Sequence, residues 1–266
     1  MRRAVQSCIE MLKRLFAFLA LALFATPALA DPPSAALRLY AQGAFVAAAE
    51  NARRNPSAAS LSFAARAFMA ACVTSPRDRE LDDWLDSAED AARDALALDS
   101  DSVEARLQWA LTLGVRGRRA SIAEAVSRRY APRGKRLIDE ALRREPNNAW
   151  AHAMLGAWHL EVLRRGGRTG AAIYGARHAA GMVAFERARR LAPNDAMIAL
   201  QYAIALIEYD PDANAARVAE LLAVAAAQSP RDALESYALE AGGQVADALA
   251  ARGPQAAAAV ARAAFL

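Results

Sequence analysis

The stretch from Glu145 to Gly156, EPNNAWAHAMLG, and the stretch from Ala184 to Asp195, AFERARRLAPND, are the two edges of one folding unit. Each edge carries a proline followed by Asn or Asp, residues that stop one helix and cap the next. Between the marks the chain is rich in helix formers, so the unit reads as a helical hairpin. Outward in both directions the punctuation recurs, at Ser100, Pro146, Pro193 and Pro230. By subtraction the intervals are 46, 47 and 37 residues, a range typical of stacked helical hairpins. Alanine dominates the composition, with Leu, Arg and Glu behind it, all strong helix formers. Alternating runs of β-branched and aromatic residues are missing, so nothing reads as a strand. The chain is predicted to be all-α.

The residues between the marks share one register. His152-x2-Leu155-Gly156-x2-His159 is followed by Gly181-x3-Phe185, Ala188 and Pro193. The next unit repeats it as Tyr202-Ala203-x2-Leu206, then Val218-x3-Leu222, Ala225 and Pro230. The preceding one reads Trp109-Ala110-x2-Leu113, then Gly134-x3-Ile138, Ala141 and Pro146, and an earlier half-unit reads Ala88-x3-Ala92, Ala95 and Ser100. Small residues let two helices approach, and the large ones fill the gaps between them. This pattern resembles the tetratricopeptide repeat (TPR), clearly from Ala88 to Pro230 and loosely at both ends. Its stretched hairpins are also similar to the bacterial relatives of regulator-of-microtubule-dynamics proteins. The resemblance implies a TPR-like α-solenoid of about five to six long hairpins in a right-handed superhelix. The expected helix pairs are 34–42 with 44–54, 58–73 with 79–98, 102–115 with 120–144, 148–165 with 171–191, 195–209 with 212–228, and 231–251 with 254–264.

The first thirty residues read as an export signal. Lys13 and Arg14 precede an apolar run from Leu15 to Phe24, too short to span a bilayer. Pro27 ends it, and Ala28-Leu29-Ala30 is a small-x-small cleavage pattern. Cleavage after Ala30 and a periplasmic location are expected, with residues 31–266 as the repeat domain; Met11 is an alternative start. Residues 1–30 carry a net charge of +3, from Arg2, Arg3, Lys13 and Arg14 against Glu10, so a total of +4 leaves +1 for the remainder. Bulk basicity therefore gives no argument for nucleic acid. Cys72 is the only cysteine after the signal, so no disulfide is expected within the domain.

Three features bear on possible chemistry. The histidines, His152, His159 and His178, lie close in sequence, but His152 and His159 stand about 10.5 Å apart along a helix at 1.5 Å per residue and cannot share one ion. They occupy large-residue positions of the repeat, where packing is the plainer role. The Gly-rich basic segment Arg164 to Gly170 offers Arg164, Arg165 and Arg168 as an anion-binding or basic surface, although it lacks a P-loop pattern and a preceding strand. Acids prevail from Asp78 to Glu104 and bases from Arg116 to Arg144. This reads as helix faces attracting one another across neighbouring repeats, with contact to an anionic membrane surface as the functional alternative. No catalytic constellation, metal site or cofactor site is evident.

In the TPR family the first helix of each unit lines a concave groove that binds peptides. The resemblance places Glu104, Leu107, Leu111, Trp150, Ala153, Ala157, Met197, Leu200 and Ile204 there, with Trp150, Leu107, Leu111, Met197, Leu200 and Ile204 as the partner-binding set. The Lys and Asn residues with which some TPR adaptors grip a terminal carboxylate are missing. The implied function is a periplasmic scaffold binding an envelope protein, or a second copy, through an apolar concave face. The alternative is a ligand-binding accessory of a periplasmic solute-uptake or lipid-handling system.

Overall fold

Capping residues fix where the helices begin. Ser57, Ser102, Asn148, Asp195 and Asp232 each accept a hydrogen bond from the backbone N–H three residues on, at 2.9–3.2 Å. These caps fall 45, 46, 47 and 37 residues apart by subtraction, and the last four of them stand two residues after the four punctuation marks. An N-cap of this kind is worth about 1 kcal/mol over alanine, so the sequence sets the start of five helices locally, before any tertiary contact.

The computed structural model describes residues 32–75 and 79–264. The expected signal segment and cleavage pattern lie outside them. Thirteen α-helices follow among the described residues: α1 Ser34–Ala41, α2 Phe45–Arg53, α3 Ala58–Thr74, α4 Leu81–Leu98, α5 Val103–Arg119, α6 Ile122–Ser127, α7 Tyr130–Arg144, α8 Ala149–Tyr174, α9 His178–Leu191, α10 Ala196–Tyr209, α11 Pro211–Ala226, α12 Ala233–Arg252 and α13 Pro254–Ala264. They pair as six antiparallel hairpins: α1/α2, α3/α4, α5/α7, α8/α9, α10/α11 and α12/α13. First helices pack on the first helices of neighbouring units, α3 on α5, α5 on α8, α8 on α10 and α10 on α12.

The third and fourth hairpins differ from the expected spans. The single helix expected over 120–144 is two, because Arg129 adopts a left-handed conformation (φ 56°, ψ 38°) between α6 and α7. In α8 the backbone turns at Gly167 (φ 55°, ψ −151°), a conformation open to glycine alone. Gly170 then lies 3.6 Å from the Val162 carbonyl when given a Cβ, so the chain has doubled back on itself. The second helix of this hairpin consequently starts at His178, later than the expected 171.

The core is built for close approach. Ala64, Ala67, Ala88, Ala91, Ala92 and Ala95 are fully buried between α3 and α4 and their neighbours. One large cluster joins α1–α5, and another joins α8–α13 around Phe185, Tyr202, Leu206 and Val218. Phe185 and Tyr202 stack with centroids 4.4 Å apart, directly over Gly156. The array also meets itself: α12 touches α1 and α3, and Ala233 and Leu234 pack against the N-terminal cluster.

Charge links the units as the sequence pattern suggests. Glu89 of α4 accepts from Trp109 Nε1 at 3.0 Å and Arg133 at 3.1 Å, and pairs with Arg116 at 3.2 Å. Arg116 also pairs with Asp86, and Arg119 with Asp82 at 3.6 Å. The acidic α4 and basic α5–α7 thus face each other.

Candidate functional site

The candidate surface is the inner face, formed by the first helices of the units. Counting from each cap, the second residue is Glu104 in α5, Trp150 in α8 and Met197 in α10, all in the first helical turn. The fifth is Leu107, Ala153 and Leu200, and the ninth is Leu111, Ala157 and Ile204. These positions lie three and four apart and form one stripe along each helix.

The stripe is open at its start and closed further along. Trp150 is 39% exposed, the one aromatic among the exposed large apolar side chains of the described residues. Met197 and Leu111 are half-buried. Leu107, Leu200 and Ile204 are buried, which corrects their expected place on a free groove. Leu107 packs with Val103, Ala141 and Ala151. Leu200 is covered by α12, where a Cβ on Gly242 would stand 2.8 Å from Leu200 Cδ1. Ile204 belongs to the C-terminal cluster. Leu200 and Ile204 share a cluster with the sixth hairpin and Leu107 packs between the third and fourth, so the apolar part of the stripe holds the array together.

Polar groups frame the open part. Glu104 accepts from Arg66 of α3 at 2.7 and 3.0 Å and from Gln108 at 2.8 Å. Tyr40, Asp232 and Glu235 lie in the same region, and burial followed by the Asp232 carboxylate pushes the Tyr40 phenol well above its ordinary range. Gln108 and Gln201, both six residues from a cap, bury their carboxamide oxygens with no hydrogen-bond partner among the described residues. Such acceptors are normally satisfied.

At the far end of the same helices, α5, α8 and α10 are clasped by charge. The Glu208 carboxylate, 1% exposed, accepts two bonds from Arg118 at 2.7 and 2.9 Å. Arg164 approaches it at 4.0 Å while bonding Glu161 at 2.7 and 2.9 Å. Arg165 donates to the carbonyls of Gly117 and Ala120. Two of the three arginines expected to form an anion-binding surface are therefore engaged within the fold, and Arg168 alone is exposed. Sequence reasoning missed Glu208, which sits 90 residues from its partner and carries no local signal.

The histidines do not converge. His152 Nε2 lies 2.9 Å from the Pro146 carbonyl, His159 Nδ1 accepts from the Arg177 N–H at 3.2 Å, and His178 stacks on Tyr209. No group of three or more metal-binding side chains occurs among the described residues. Cys72 is fully buried, and burial pushes its thiol up to about 12.

With this geometry in place, comparison with known proteins decides the family. The family profile described as regulator of microtubule dynamics protein 1-3 matches residues 38–241, from the first hairpin into α12. The chain belongs to that family. A crystal structure of a thermophilic TPR protein from Thermus thermophilus resembles it at 17% identity, with a TM-score of 0.56, covering 80% of this chain and 97% of that one. No curated protein matches the chain in sequence. As a regulator-of-microtubule-dynamics family member the chain has the TPR-like superhelix, and such arrays are in general non-enzymatic protein-interaction scaffolds.

Proposed function

We propose that this chain is an exported scaffold that holds an envelope protein on the inner rim formed by Glu104, Trp150 and Met197. Trp150 carries the reading. A half-exposed tryptophan in the first turn of a capped, rigid helix has no folding reason to face solvent, and tryptophan is the commonest anchor of binding energy at interfaces. Glu104 with Arg66 supplies a polar edge beside the apolar anchor. The periplasmic setting rests on the signal read from residues 1–30.

A photo-crosslinking residue at position 150, activated in cells and followed by mass identification of adducts in the periplasmic fraction, tests both parts. One recurring envelope protein attached to a chain beginning at Asp31 supports the proposal. Adducts only with other copies make the rim homotypic, and a chain retained in the cytoplasm with its first thirty residues intact removes the export assignment.

A further inference from the structure

The tips of the third and fourth hairpins are tied together. Arg165, just before the turn at Gly167, bonds the carbonyls of Gly117 and Ala120 at the end of α5. Ala120 precedes α6 by two residues, so Arg168 and α6 occupy the same end of the array. α6 contributes no buried residue to the fold. Its Ile122 and Val126, four residues apart and so on one face, are each 53% exposed.

Positive charge near them outnumbers Glu124, the one acid of α6. Arg128 and Arg129 follow α6 directly, and Arg168 stands on the adjoining tip; all three are exposed, and none pairs with a carboxylate among the described residues. This contrasts with Arg116, Arg119 and Arg133, each matched to an acid of α4. Beyond the tip, Ile173 is 68% exposed at the edge of a cleft of about 320 Å³ that also holds Arg136, Arg143 and the Lys135–Asp139 pair.

We propose that the joined tips dock on an anionic phospholipid surface, with Ile122 and Val126 entering the headgroup boundary and Arg128, Arg129 and Arg168 meeting lipid phosphates. Two aliphatics on a protruding turn offer no pocket for a partner side chain, whereas a bilayer needs none. So little apolar area binds a neutral membrane poorly, so the charges supply most of the attraction and the interaction is salt-sensitive. The inner rim plays no part in this surface, so the two assignments stand or fall separately.

The test uses the chain from Asp31 to Leu266, which contains the whole compact unit, in co-sedimentation with vesicles. Vesicles of phosphatidylglycerol and phosphatidylcholine should bind it at low salt, pure phosphatidylcholine should not, and binding should vanish at about 0.5 M salt. At about fivefold per arginine, R128Q/R129Q/R168Q should weaken binding on the order of a hundredfold. I122S/V126S should weaken it by about tenfold. Both variants should keep the wild-type melting temperature, because the substituted side chains are exposed. Equal binding to neutral and anionic vesicles, or an unchanged triple variant, overturns the proposal. A protein adduct lost in the triple variant, in the absence of vesicle binding, also overturns it and gives the patch to an acidic protein.

Discussion

Gly156 shows how little room the repeat leaves. A Cβ there would stand 2.7 Å from Cγ and 2.8 Å from Cε2 of Phe185. The ring is fully buried and held against Tyr202 at 4.4 Å with an interplanar angle of 8°, so it has nowhere to go. Overpacking of this kind costs about 1–3 kcal/mol, while a helical Gly→Ala change returns roughly 1 kcal/mol of propensity. Gly156→Ala should therefore destabilise by up to about 2 kcal/mol in urea titration. Gly114 lies in α5 with nothing within 4 Å of its built Cβ, so Gly114→Ala should stabilise by up to about 1 kcal/mol. His159 gives a pH signature at the same scale. Burial, then Lys135 and Arg177, lower its pKa, and its Nδ1 accepts the Arg177 N–H, so the folded chain holds it neutral. The unfolded chain binds that proton more readily, so this contribution to stability is present at neutral pH and falls as pH drops below about 6.5. Melting temperatures at pH 7.5 and 5.5 should differ less in His159→Gln than in the wild type.

Among the elements, the clasp between α5, α8 and α10 merits the first test. Glu208 is buried under two guanidinium groups that remain a quarter exposed. Removing its charge leaves Arg118 and Arg164 partly hydrated, so the loss should fall below the ~3–5 kcal/mol of a fully buried pair. Glu208→Gln should lose about 2 kcal/mol, read as a lower denaturation midpoint with an unchanged slope. The helices of this clasp were legible from the sequence, since caps and prolines act locally and five of the six first helices begin at a side-chain cap. The break at Arg129 was not, because a left-handed arginine has no compositional mark. Nor was the engagement of Arg165, or the approach of Arg164 to Glu208: the carbonyls of Gly117 and Ala120 and the Glu208 carboxylate lie more than 40 residues away, although the bond of Arg164 to Glu161 is local. The place of Trp150 in the first turn of α8 was legible because it follows from the cap at Asn148. Leu200 was misplaced because a stripe register says nothing of what a later helix lays upon it.

At the scale of the whole molecule, the decisive contact is the return of α12 to α1 and α3. A linear repeat array transmits stability only between neighbours, so a defect in the second hairpin should leave the sixth untouched. Here Ala233 and Leu234 pack on the cluster containing Tyr40, Phe45 and Phe63, and a Cβ on Gly43 would meet the Ala233 side chain at 3.3 Å. The first and last units thus share a core, although their sequences carry the weakest repeat pattern. Phe63 is nearly fully buried, with its ring 5.4 Å from that of Tyr40. Phe63→Leu should loosen this cluster without unfolding the chain, at a cost of about 1–2 kcal/mol. Amide exchange by mass spectrometry should then show faster exchange in the first turns of α12, far along the chain, while α8 and α9 between them keep their protection. Unchanged exchange in α12 would mean that the closing contact adds no stability and that the array behaves as an open solenoid, which would leave Leu200 and Ile204 covered by the packing of the sixth hairpin on the fifth alone.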